Sequence, residues 1–198
     1  MVADGLGGHK DGEIASRMVC DALADFIPDA TFEQMLEGAA DRVREVNGHL
    51  VRMAAREHQA VHSGSTVVAL LTRATRCAVL WAGDSRAYRL RDGSLQQLTR
   101  DHSLAESGEL PAGETSTAIT RAVGGEPALA LDMYRDRVRA GDRFLLCSDG
   151  LTRTVGDGRI QELMAHENIR RAVDDLIAAA TAAGAPDNVT VVVVEAYT

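Results

Sequence analysis

The hydrophobic period of this chain changes once, near Ser65, and that change limits the folds open to it. Before Ser65 the apolar residues recur every three or four positions. Ile14, Met18, Ala22, Leu23, Phe26 and Ile27 share one helical face over residues 12 to 27, and Pro28 ends the run. Thr31 and Gln34 have the spacing of a capping box, and Met35, Leu36, Ala39, Val43, Val46, Leu50 and Met53 carry a second helix to about Arg56. After Ser65 the apolar runs are short: Thr66 to Leu71, Cys77 to Ala82, Ala87 to Leu90 and Leu95 to Leu98. They read as strands, and Asp92-Gly93 between the last two predicts a hairpin turn whose central residues need positive φ. Further strands are expected at Leu129 to Val138 and Phe144 to Cys147, then helices near 158 to 166 and 169 to 183, then a buried strand at Val189 to Val194. Consecutive hairpins imply antiparallel sheets, and helix pairs around them imply an α+β layered sandwich. A doubly wound parallel fold is disfavoured, and Gly5-Leu6-Gly7-Gly8 has Lys10 where a dinucleotide-binding loop needs glycine.

With 198 residues and 45% hydrophobic content the chain suits one domain, 1 to 198, with a single buried core. The 21 Lys+Arg against 29 Asp+Glu give a net charge of −8, and aromatic residues are only 4%. That balance speaks against nucleic acid, whose binders need phosphate-neutralising cations and stacking rings, and against an anionic membrane surface. Phosphates stay accessible to an acidic protein when bound cations invert the local charge. Cys20, Cys77 and Cys147 are widely spaced and odd in number, which fits small buried hydrophobes in a reducing compartment. With no apolar run of membrane-spanning length and no signal-peptide pattern at Met1, a soluble cytoplasmic protein is expected.

Three apolar runs end in an aspartate: Met1-Val2-Ala3-Asp4, Val79-Leu80-Trp81-Ala82-Gly83-Asp84 and Phe144-Leu145-Leu146-Cys147-Ser148-Asp149. A fourth, Asp187, precedes the last strand. Each such strand delivers a carboxylate to the rim of a sheet. Several at one rim repel one another unless protons or hard divalent cations intervene, and Mg²⁺ or Mn²⁺ match carboxylate oxygens. Asp-Gly taken singly is a turn dipeptide, and Asp92-Gly93 serves here as the internal control.

These residues belong to a longer series. Val2-Ala3-Asp4-Gly5-Leu6-Gly7-Gly8-His9, Ser63-Gly64-Ser65-Thr66, Ala82-Gly83-Asp84-Ser85-Arg86-Ala87-Tyr88, Leu98-Thr99-Arg100-Asp101-His102-Ser103, Ile119-Thr120-Arg121-Ala122-Val123-Gly124, Cys147-Ser148-Asp149-Gly150-Leu151 and Asp187-Asn188-Val189-Thr190 follow in order along the whole chain. The series resembles the motifs of the metal-dependent type 2C Ser/Thr protein phosphatases. The resemblance implies a four-layer α-β-β-α sandwich of two antiparallel sheets flanked by helix pairs, with a metal cluster at one end. It also implies hydrolysis of phosphoserine and phosphothreonine on proteins by a hydroxide bridged between Mg²⁺ or Mn²⁺ ions, opposing a Ser/Thr kinase. By position, Asp4 bridges two ions, the Gly5 carbonyl serves one of them, and Asp149 and Asp187 serve the other. Asp84 would share a third, weaker ion with Asp149, Asn188 would support Asp187, and His9 would be the general acid. His102, Arg86 and Arg121 fall in motifs too and are expected to make structural hydrogen bonds.

Against the family pattern, the sequence starts just before the first motif, without the upstream hairpin that carries a phosphate-binding arginine and a metal-serving glutamate. A start placed too late, a trimmed fragment and a protein that has lost catalysis are the three explanations, and the intact motifs favour truncation of an active parent. The expected consequences are an unpaired sheet edge, a metal site short of one carboxylate and activity weakened or abolished. A catalytically inactive binding module is the alternative function. The stretch Arg100 to Ser116, the expected mobile flap, looks shorter than usual.

Overall fold

The structure, a computed structural model, describes residues 1–6, 9–26, 31–57, 64–108 and 116–197; the side chains of His9 and Lys10 fall outside that description. Helix α1 (His9–Ala24) and helix α2 (Phe32–Glu57) come first. Thr31 caps α2 as its spacing predicts: Gln34 N–H donates to Thr31 Oγ1 (3.2 Å), and Thr31 N–H donates to Gln34 Oε1 (3.2 Å). A two-residue strand β1 (Gly5–Leu6) pairs antiparallel with β2 (Gly64–Ser65). Strands β3 (Val67–Arg73), β4 (Arg76–Ala82) and β7 (Asp132–Arg137) form one antiparallel sheet in the order β3-β4-β7. Strands β5 (Arg86–Arg91), β6 (Ser94–Gln97), β8 (Arg143–Cys147) and β9 (Val191–Glu195) form the other, in the order β6-β5-β8-β9. Between β5 and β6, Asp92 and Gly93 take φ of 52° and 76°, the positive values of the expected hairpin turn.

The period-2 alternation of the strands sorts the layers. Cys77, Val79 and Trp81 of β4 meet Phe144 and Leu146 of β8 in a core between the two sheets. The intervening Leu80 and Ala82 face the other way, onto Ala15 and Val19 of α1 and Val43 and Leu50 of α2. On the far side Leu145 and Cys147 face Leu151, Ile160 and Leu176, which belong to α4 (Asp149–Thr152), α5 (Asp157–Met164) and α6 (Ile169–Ala182). Each large apolar side chain buried this way contributes about 1.5–3 kcal/mol of transfer free energy. Helix pair, sheet, sheet and helices thus make the four-layer sandwich.

Two expectations need correction. Strand β9 is only half buried, and Val194 is 40% exposed, because among the described residues β9 is the edge of its sheet, paired with β8 alone. The short helix α4 lies where no element was expected, since four residues carry no readable period. Residues 109–115 of the expected flap lie outside the described residues; residues before them are tied down. Trp81 Nε1–H donates to the Arg100 carbonyl (2.9 Å), and Leu104 N–H, in helix α3 (Leu104–Ser107), donates to the Ala118 carbonyl (2.9 Å). At the outer side of β3, Val2 bridges Val68. Cys77 and Cys147 are buried, burial pushing the Cys147 thiol up to about 12, whereas Cys20 is partly exposed.

Candidate metal centre

The four aspartates reach one place from four segments. Asp4 precedes β1, Asp84 sits in the turn from β4 to β5, Asp149 follows β8 as the first residue of α4, and Asp187 lies in the loop before β9. All four line a cleft of about 350 Å³, and a second cleft of about 740 Å³ meets it at Asp4, Gly5 and Asp187 and runs along Gly12 and Ser16 of α1.

Motif residues between the ligands hold this arrangement. Asp4 N–H donates to Thr66 Oγ1 (2.9 Å), and Thr66 N–H donates back to the Asp4 carbonyl (2.8 Å). Thr66 Oγ1 is also 2.7 Å from Ser85 Oγ, so the Asp4 and Asp84 turns share one buried hydroxyl pair. Ser148 Oγ donates to the Asn188 carbonyl (3.2 Å) and accepts from Thr190 N–H (3.0 Å), which locks the Asp149 turn to the Asp187 loop. The glycines after two of the aspartates serve close approach rather than torsion. A Cβ on Gly5 would stand 2.2 Å from the Gly12 carbonyl oxygen, and one on Gly150 would stand 2.2 Å from that of Asn188.

Crowded, half-dehydrated carboxylates resist ionisation. Burial, with the charges of Asp149 and Asp187 added, pushes Asp4 up to about 6. Burial and Asp149 push Asp84 up to about 6 as well. Asp149 is raised by burial and by Asp187 against the pull of Arg153, and its Oδ1 is buried without a hydrogen-bond partner. Carboxylate and carbonyl oxygens, mutual repulsion and an orphaned acceptor together fit hard divalent cations. As the side chains stand, no three His, Cys, Asp or Glu among the described residues close around a single ion. Asp149 Oδ2 is taken by Arg153, whose Nη2 lies 2.6 Å away.

His9 is the first residue of α1, and its side chain lies outside the described residues, so its contacts do not enter the geometry. Asn188 N–H donates to Asp187 Oδ1 (2.8 Å). The remaining motif groups make structural bonds as expected. Arg86 forks onto Asp101 at 2.8–3.0 Å, and Arg121 reaches Asp132 at 2.7 Å. His102 stacks on Trp81, accepts from Gly83 N–H at Nδ1 (3.1 Å) and meets Asp132 at Nε2 (3.1 Å). Sequence reasoning missed Arg153, because the i, i+4 spacing that pairs it with Asp149 means something only once the single turn of α4 is known.

The family model "Protein phosphatase 2C" matches residues 1–191. The chain is 37% identical over 206 residues to the serine/threonine protein phosphatase PstP of Mycobacterium tuberculosis, covering 98% of this chain but 39% of that protein's length. Its fold is similar to the solved structure of PppA, described as a key regulatory component of T6SS in Pseudomonas aeruginosa, with a TM-score of 0.91, 35% identity and coverage of 98% of this chain and 84% of that one. It is also similar to the catalytic domain of a serine threonine protein phosphatase PstP in complex with 2 manganese ions, with a TM-score of 0.87, 36% identity and coverage of 99% and 86%. A sandwich that gathers aspartates from four distant segments at one end and matches this family along nearly its whole length leads to one conclusion: the chain belongs to the protein phosphatase 2C family.

Proposed function

We propose that residues 1–198 form a single Mg²⁺- or Mn²⁺-dependent phosphatase domain that hydrolyses phosphoserine and phosphothreonine on proteins, opposing a Ser/Thr kinase in the cytoplasm. The observation that carries this reading is the convergence of Asp4, Asp84, Asp149 and Asp187 on one cleft, with two of them pushed up to about 6. In this reading Asp4 with the Gly5 carbonyl, and Asp149 with Asp187, hold two ions. When bound, the ions lower the pKa of a water and so supply the nucleophile. The protein's own groups do the rest. The Thr66 and Ser85 hydroxyls keep the Asp4 and Asp84 turns in register, and Asn188 N–H orients Asp187. His9, at the start of α1, delivers a proton to the departing serine or threonine alkoxide, a poor leaving group that needs one. Among the described residues no helix is long and apolar enough to cross a membrane.

The test is hydrolysis of a phosphothreonine peptide and of p-nitrophenyl phosphate with and without Mn²⁺. Metal-dependent turnover on both is expected, lost on both in Asp4→Asn. His9→Ala should slow the peptide far more than the aryl ester, whose nitrophenolate leaves unprotonated. Mn²⁺ binding without turnover on either substrate would overturn the enzyme reading in favour of a binding module.

A further inference from the structure

Arg153 occupies an unusual position for a cation-binding site. Helix α4 is a single turn, with Arg153 N–H donating to the Asp149 carbonyl (2.9 Å), so Arg153 stands one turn after Asp149 on the same face. Helical side chains lean towards the N-terminus, and the guanidinium accordingly reaches back to Asp149 Oδ2 at 2.6 Å. The Arg153 side chain is 36% exposed and that of Asp149 13%, so the charge sits at the mouth of the cleft and the carboxylate inside it. Arg153 lines the cleft of the four aspartates, and it lines a smaller one of about 160 Å³ that also contains Asp84 and Asp149. In that smaller cleft the other cation, Arg86, is committed to Asp101. The positive charge of Arg153 is felt by Asp4, Asp84 and Asp149 alike, in each case opposing the effect of burial.

Asp84 and Asp149 are the pair to which the family resemblance gives a third, weaker ion. We propose that Arg153 is a resident cation in that place: its guanidinium supplies the positive charge that the Asp84–Asp149 pair requires, so that the protein holds two divalent ions and excludes a third. A guanidinium stays charged at every relevant pH and forks onto carboxylates, which makes it a permanent competitor for the Asp149 oxygen it holds. A divalent ion entering between Asp84 and Asp149 would have to displace it from Asp149 and then stay beside it, like charge against like. Asp4 and Asp187 make no ion pair with Arg153, and Asp149, which serves a principal ion together with Asp187, keeps its other oxygen, Oδ1, without a hydrogen-bond partner and so open to that ion. The inference rests on reading Asp4, Asp149 and Asp187 as metal ligands.

The experiment counts Mn²⁺ bound per chain, by calorimetric titration and by the electron-spin signal of free Mn²⁺. The proteins compared are the parent, Arg153→Ala, Arg153→Gln, Arg153→Lys and the double variant Arg153→Ala/Asp84→Asn, with circular dichroism reporting the fold of each. The parent and Arg153→Lys should bind two ions. Arg153→Ala and Arg153→Gln should bind a third, at least tenfold weaker than the first two, and the double variant should lose it again. A third ion in the parent, or an unchanged count in both neutral variants, overturns the proposal while leaving the two-ion centre standing. A parent that binds no Mn²⁺ overturns the metal-centre reading and this inference together. Arg153→Gln keeps the length and hydrogen-bonding tip of the side chain and carries the test if Arg153→Ala fails to fold.

Discussion

Strand β8 has an aspartate just beyond each end, and the two could hardly differ more. At the start, Asp142 has a side chain 1% exposed, yet Arg91 grips both of its oxygens at 2.6 Å and Arg139 N–H adds a third bond (2.7 Å). Burial alone would raise its pKa; Arg91 and the Arg139 N–H outweigh burial and hold it below the usual carboxylate range. Nearby, Arg89 and the Arg137 N–H hold Asp136 down in the same way. At the other end Asp149 shares its cleft with three more carboxylates, has a single arginine on one oxygen and is pushed up. One end of the sandwich spends arginines to neutralise its acids internally, and the other leaves charge uncompensated, which suits it to bind cations at a cost in stability of the metal-free protein.

The contrast is open to attack from both ends. The largest effect is expected from Arg91→Ala, which strands a buried carboxylate and should cost about 3–5 kcal/mol in denaturant unfolding while Mn²⁺ affinity of the folded protein is unchanged. Weakened Mn²⁺ binding in that variant would show that the two ends are not independent. Asp149→Asn should do the reverse: Mn²⁺ binding and phosphatase activity fall at least about 100-fold, the upper end of what losing an outer-shell partner costs, and the metal-free melting temperature rises because repulsion is relieved. A lower melting temperature in chelator would mean that Asp149 is structural.

The pH dependences should have opposite signs. Asp4 and Asp84 sit at about 6 against 3.8 unperturbed, so the native metal-free protein binds more protons than the unfolded chain between those values. Their contribution to metal-free stability therefore grows as pH falls from about 6 to about 4, and Mn²⁺ binding weakens over the same window by up to about tenfold per pH unit for each carboxylate protonated. Asp142, held low, contributes stability that is complete above its unfolded value and is lost as pH falls through its lower folded value. Melting curves in chelator from pH 7 to pH 3 should thus rise and then fall, and a monotonic decline from pH 7 would refute the assignment at the cleft. The smallest effect is expected for the exposed Glu13–Arg17 pair: Arg17→Ala should change stability by no more than about 0.5 kcal/mol.

Local chemistry was readable from the chain alone wherever it is written within a few residues. The Thr31–Gln34 cap and the Asp92-Gly93 turn formed where they were expected, because neighbours in sequence satisfy them. The aspartates at the ends of apolar runs were legible for the same reason. What stayed hidden depends on partners far along the chain. The two-residue strands β1 and β2 exist only because residues 5–6 and 64–65 meet, and β9 proved an edge because that depends on which strands stop beside it. Asn188 bonds Asp187 through its backbone N–H, a contact that residue type does not foretell.

By itself, then, the sequence determined the longer helices and strands and the family, since periodicity, capping and collinear motifs are properties of neighbouring residues and their order. Only the tertiary structure decided which aspartates are neutralised and which are left charged. Asp142 and Asp149 each stand beside a glycine just beyond an end of β8, and what separates them is long-range packing: it brings Arg91, 51 residues away, onto both oxygens of Asp142, whereas it brings three other carboxylates into the cleft that Asp149 lines.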